Sequence, residues 1–198
     1  MKRWYLLLAA LALLLLSPTL FLLFLLAFLA YIAVRQIPSL LARHNLKRYL
    51  REMEEVLRDL ATEGKARFIA KRGRAYILAP AGERTYLLLP PPTEAIRPRF
   101  VFTKKAYVID PLEAELYRHL VKTRLAKSVR IISRRKTVVI EIYSPKTKTP
   151  PTYIEVIGTV EAAIAAAITA VATGKTVEIV EEEEGKGKRV VILTTETA

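Results

Sequence analysis

RFIAKRGRAYI, residues 67–77, alternates apolar and polar side chains on both sides of Arg72-Gly73, which reads as two strands joined by a tight turn. A second stretch, RIISRRKTVVI at 130–140, has the same form, with Arg134, Arg135 and Lys136 at its tip. Each is followed by a proline-containing turn and a Thr-Tyr pair, Thr85-Tyr86 and Thr152-Tyr153. The sequence therefore raises an internal repeat of two three-stranded meanders, each followed by a helix. Phe68 and Tyr76 fall where the alternation wants core residues, so they offer no stacking platform for bases.

Working outward, runs rich in Val, Ile, Tyr and Phe predict strands at 67–71, 74–79, 84–89, 100–103 with 106–109, 129–133, 137–143, 153–157, 176–180 and 189–194. Two helices divide them. The first opens with Asp110-Pro111-Leu112-Glu113, a cap followed by proline and an acid three residues on, and carries Leu112, Leu116 and Leu120 on one face. The second covers 160–173, with Val160, Ile164, Ile168 and Val171 as a stripe and alanine elsewhere, which permits close approach to a sheet. Its length suits a buried core helix better than a membrane span. The fold class is α+β: a mainly antiparallel sheet with two helices on one face.

Ahead of this domain, residues 38–64 read as an amphipathic linker helix closed by Gly64. Leu46, Leu50, Met53, Leu57 and Leu60 recur at heptad spacing, a seam that serves either self-association or packing on the chain's own domain.

The N-terminal segment 1–37 holds no charge from Trp4 to Val34. As one helix those residues would be about 46 Å long, against a hydrocarbon core of about 30 Å. Ser17-Pro18 interrupts them, so the reading is a transmembrane segment that is either a kinked single span or a short hairpin whose second helix starts at Pro18. Lys2 and Arg3 flank one end, and Arg35, Arg43, Lys47, Arg48 and Arg51 the other. Both topologies leave everything after Val34 on the cytoplasmic side. A secretory signal is the rival reading, but no small-residue cleavage site follows and a second apolar block does. The expected organisation is a membrane anchor (1–37), the linker helix (38–64) and a soluble cytoplasmic α+β domain (65–198).

The net charge of +13 is unevenly spread: residues 35–150 carry 26 Lys and Arg against 11 Asp and Glu, and residues 151–198 carry 4 against 8. The basic part adjoins the membrane segment, a field that draws anionic headgroups or nucleic acid backbones. The chain has no cysteine, which excludes disulfides, thiolate metal sites and a cysteine nucleophile. Its two histidines, His44 and His119, are far apart, so no metal site is expected, and His119 is assigned to the polar side of its helix. GKGKR at 185–189 reads as a hairpin turn, not a phosphate loop, and Glu181 to Glu184 as a solvated strand end. Single Asn45 and Gln36 beside 26% charged residues fit a protein of a hot environment.

No catalytic set and no cofactor are expected. The candidate phosphate or nucleic acid contacts are the two basic tips, Lys71, Arg72 and Arg74, and Arg134, Arg135 and Lys136, whose charge would otherwise serve solubility and edge blocking. The expected partners are membrane lipids and a protein partner or second copy, with nucleic acid as a third class. The function expected is a membrane-anchored cytoplasmic binding or scaffold protein. The alternatives are a tether for nucleic acid or ribosomes, and an accessory subunit of a membrane enzyme or transport complex.

Overall fold

The computed structural model describes residues 18–59, 64–81, 85–96, 111–134 and 137–196. They form an α+β protein with one seven-stranded antiparallel sheet and five α-helices among the described residues. The chain divides into two compact units, Met1–Leu40 and Leu41–Ala198. In chain order the elements are α1 (Pro18–Asp59), β1 (Arg67–Lys71), β2 (Arg74–Pro80), β3 (Tyr86–Leu89), α2 (Pro92–Ala95), α3 (Pro111–Leu116), β4 (Ser128–Arg134), β5 (Thr137–Tyr143), α4 (Pro151–Val156), α5 (Val160–Thr173), β6 (Thr176–Gly185) and β7 (Lys188–Glu196).

Helix α1 runs without a break through Pro38, where the sequence reading began a separate linker helix. Proline removes one amide and disfavours helix in the residue before it, which is why a boundary was expected there. Strong helix formers on both sides carry the helix across. Whether Ser17-Pro18 is a kink or a turn lies outside the described residues, since the helix is described from Pro18 onward. In the second unit, Ala42, Leu46, Leu50, Met53 and Leu57 of α1 are buried in the domain core. Tyr49 joins them: its hydroxyl donates to the Pro90 carbonyl at 2.7 Å, and its ring meets Tyr153 edge-on at 6.4 Å between centroids.

The sheet order is β3-β2-β1-β6-β7-β5-β4. Alternation sets its two faces. Phe68, Ile77, Val177, Val191, Ile140 and their like point inward and are buried, while the residues between them, buried Glu141 apart, are half-buried or exposed. Tyr76 is among the latter: opposite Ile69 on the outer face, it is half-buried and not in the core as expected.

Helix α5 packs on β1, β2, β6 and β7, and every residue from Val160 to Ala170 is buried. Thr159 caps its start by accepting from the Ala162 amide, and Gly174 closes it in the left-handed conformation. The stretch Pro151–Thr173 is, among the described residues, long and apolar enough to cross a membrane by length and composition, but 83% of its most apolar window is buried within the protein. It is core. The apolar part of α1, Phe21–Ala33, falls short of that length by itself.

The expected repeat of two meanders is corrected. The first exists as β1-β2-β3, but Thr152 and Tyr153, expected in a strand over 153–157, lie in α4, so β4-β5 has no third strand of its own and pairs instead with β7. Pro151 at the start of α4 presets the helical backbone, and Tyr153, Val156 and Ile157 are buried at spacings of three and four. The other strands fall close to expectation; the strands expected at 100–103 and 106–109 lie outside the described residues.

Between α4 and α5 the chain turns at Gly158, with φ of 100°. A Cβ there would stand 2.4 Å from Glu182 Oε1, the oxygen that accepts from the Thr159 amide. Gly158→Ala is therefore expected to destabilise the protein by about 1–3 kcal/mol. Urea midpoints of the detergent-solubilised full chain measure it, and an unchanged midpoint would refute the packing argument.

Candidate functional site

The first basic tip is where the sequence reading put it. Arg72 and Gly73 both take positive φ, 53° and 72°, the backbone that a two-residue hairpin turn between twisted strands requires. Lys71, Arg72 and Arg74 are exposed around it. Of the second tip, Arg134 closes β4, while Arg135 and Lys136 lie outside the described residues, so the two tips are not brought together on any described surface. The GKGKR segment is a hairpin turn as expected, built on Lys186 and Gly187 at φ of 50° and 74°.

The heptad seam is used up inside the protomer. Leu46, Leu50, Met53 and Leu57 are buried in the core of their own chain, which leaves that stripe no free face for a second copy. Leu60 lies outside the described residues.

Glu181, Glu183 and Glu184 are exposed at the end of the strand, as expected of a solvated end, and Glu182 is half-buried. Strand β6 continues through them after a bulge between Ile179 and Glu181, and they alternate sides. Glu182 accepts from the Thr159 amide at 2.9 Å and from the Thr159 hydroxyl at 2.6 Å. Glu184 pairs with Arg189 at 2.8 Å, and Arg189 in turn meets the fully buried Glu161 at 2.9 Å. Glu181 and Glu183 stay exposed. This network lies along a cleft of about 390 Å³ beside Gly158, where Glu182 and Glu184 are engaged with Thr159 and Arg189.

A second cleft, of about 360 Å³, opens at the C-terminal end of α5. Ala167, Ile168 and Val171 supply apolar lining; Arg74, Glu115 and His119 supply the polar part. His119 belongs to a π-helical turn, Tyr117–Val121, that continues α3, and the Lys122 amide donates five residues back to the Tyr117 carbonyl at 3.1 Å. Such turns often mark functional sites because the widened helix redirects one side chain. The side chain of His119 is only 16% exposed, so the polar-face reading of this residue is corrected: it lines a cleft.

The His119 Nδ1 lies 3.0 Å from the Glu115 carbonyl, which can only accept, so Nδ1 carries the proton and Nε2 remains the acceptor of the neutral ring. Burial holds the imidazole below its ordinary pKa, against the opposing pull of Glu115. Thr93 and Glu94 complete the polar edge of the cleft, opposite its apolar floor.

On the helix-free face of the sheet, Tyr86, Leu88, Ile132 and Val180 are 48–60% exposed. Half-buried Ile69, Leu78, Val139 and Ile192 join them into apolar bands, with Leu78 opposite Leu88 and Val139 opposite Ile192. Charged groups interrupt these bands: Arg67 pairs with Glu178 at 3.6 Å, and Arg130 stands opposite Glu141. Lys188 and the Tyr143 hydroxyl both donate to its carboxylate and hold it below the ordinary carboxylate range.

Comparison with protein-family models, with curated proteins and with solved structures gives no match.

The lowered pKa of His119 makes stability depend on pH. As pH falls below about 6.5, the unfolded chain takes up this proton before the folded one does. The neutral ring's contribution is therefore full above that pH, and is lost progressively down to the folded pKa. The urea midpoint of the wild type is expected to fall more between pH 7.5 and pH 5 than that of His119→Gln. Parallel curves for the two proteins would contradict the burial of the ring.

Proposed function

We propose that this chain is a membrane-anchored binding protein that holds a partner at the cytoplasmic face of a membrane. One observation carries the reading. Leu22, Leu23, Leu25, Leu26, Phe28, Leu29 and Tyr31 of α1 are 40–61% exposed, and at about 100° per residue they cover the whole circumference of the helix. A helix apolar on all sides belongs in a core or in lipid, and among the described residues these side chains are exposed. From Pro18 to Ile37 the helix rises about 30 Å, the thickness of a hydrocarbon layer. The cations that follow, from Arg35 to Arg51, favour retention on the cytoplasmic side. The exposed Tyr86, Leu88, Ile132 and Val180 on the helix-free sheet face support binding as the work of the domain, because exposed apolar groups on a sheet are available to a partner.

The test is carbonate extraction together with protease added to sealed right-side-out cells. The chain is expected to stay in the membrane pellet, and the domain to be digested only once the membrane is opened. Release by carbonate, or digestion from outside, would sink the proposal.

A second reading, a membrane tether for nucleic acid, is favoured by the tip at Lys71, Arg72 and Arg74, which is exposed and makes no ion pair among the described residues. On it, the variant Lys71→Gln, Arg72→Asn, Arg74→Gln loses affinity for RNA or duplex DNA, and the slope of log affinity against log salt drops by up to about three. Absent or salt-insensitive binding by the wild type removes this reading.

A further inference from the structure

We infer that Arg43, Lys47, Lys122, Arg124, Lys127 and Lys146 form one docking surface for the anionic headgroups of phospholipids. The inference rests on the membrane-anchored reading and names the surface by which the domain meets the bilayer. Three separate segments supply the cations. Arg43 Nη2 donates to the Arg124 carbonyl at 2.9 Å, which joins α1 to the turn after the π-helical segment. The Lys146 amide donates to the Leu125 carbonyl at 2.9 Å, and the Lys127 amide to the Tyr143 carbonyl at 2.8 Å, which brings the loop after β5 to the same turn. Lys47 follows Arg43 by one helical turn and so shares its side of α1.

All six side chains are exposed, and among the described residues none makes an ion pair with a carboxylate. Glu141, two residues from Tyr143, is already held by Lys188 and the Tyr143 hydroxyl. Arg124 keeps a long cationic side chain at φ of 61°, a backbone that glycine or asparagine adopts more easily. Like charges gathered from three segments repel one another unless an anion sits among them.

Position selects the anion. Arg43 stands nine residues after Val34, the last residue of the charge-free segment. A connection that short keeps this surface near the headgroup layer, where anionic lipid attracts basic segments next to the membrane. A phosphate ester is common to lipid and nucleic acid, but only the lipid is carried to this surface by the chain's own anchor.

The test uses the full chain in nanodiscs of phosphatidylcholine alone, or of phosphatidylcholine with one fifth phosphatidylglycerol. Acylation of lysine amines by an activated ester is followed by mass spectrometry, with Lys71 as reference within the chain. Each cation near an anionic surface favours docking roughly fivefold, so labelling of Lys122, Lys127 and Lys146 is expected to slow at least fivefold in the anionic discs. It should recover in 0.5 M salt, with Lys71 unaffected. In the variant Arg43→Gln, Lys122→Gln, Arg124→Asn, protection of Lys127 and Lys146 should weaken while the chain stays carbonate-resistant. Should that variant misfold, the wild-type comparison between lipids decides alone. Equal rates in both lipids with the chain still carbonate-resistant overturn this inference and leave the anchor standing. Equal slowing at Lys71 overturns the specificity of the surface, and protection by added RNA in lecithin discs reassigns it to nucleic acid. Release of the chain by carbonate removes both readings together.

Discussion

Helix α5 can be buried on every side only because the charge at its start is answered inside the protein. Glu161 lies in its first turn, fully buried, and its two oxygens accept from the Thr147 amide at 3.0 Å and from Arg189 Nη1 at 2.9 Å. The amide end of a helix favours a carboxylate there, but a buried carboxylate without a cation would cost several kcal/mol. Arg189 supplies the cation from β7 and is itself shared with Glu184 of β6. The same hairpin sends Glu182 to the Thr159 cap. Two strands are thus tied to one helix end by four charged side chains, and the rest of the domain assembles around that joint.

The composition of α5 follows from the same requirement. With alanine at half of its positions it lies close to β1, β2, β6 and β7, and Ile164 and Ile168 fill what space remains. Leu112, Leu116 and Leu120 close the core from α3 and its π-helical continuation, and the second half of α1 closes it with Leu46, Leu50 and Leu57. Tyr49 and Tyr153 meet at that layer, and burial pushes both phenols up, which keeps them neutral through the physiological range. Among the described residues, helix α5 packs on one face of the sheet, and Tyr86, Leu88, Ile132 and Val180 are exposed on the other.

This one-sidedness links packing to function. The charges that the fold consumes are mostly acidic residues of the C-terminal part, taken into the joint at α5. The basic residues of the middle of the chain are left on the surface, in turns and on α1. Glu161, Glu182 and Glu184 serve the joint, other acids such as Glu55, Glu155 and Glu181 stay exposed, and the cations gathered in the middle of the chain set the sign of the surface field there.

Much of the architecture was legible because its signals are local. Alternation about Arg72-Gly73 gave β1 and β2, the Thr159 cap and alanine run gave α5, and the spacing of Leu112, Leu116 and Leu120 gave the face of α3 that is buried. The sequence also determined the charge asymmetry and the apolar, charge-free N-terminal segment, since both are properties of composition and not of contacts. Tertiary structure alone decided the rest. Thr152 and Tyr153 look like strand until Pro151 starts a helix whose buried face is seen only in the core. Four adjacent glutamates look alike until β7 and α5 divide them between solvent and buried partners. His119 looks like a surface residue until a π-helical turn swings it into a cleft with Arg74, which lies 45 positions away in the chain. A heptad stripe says that a helix needs a partner; only packing says that the partner is the chain itself.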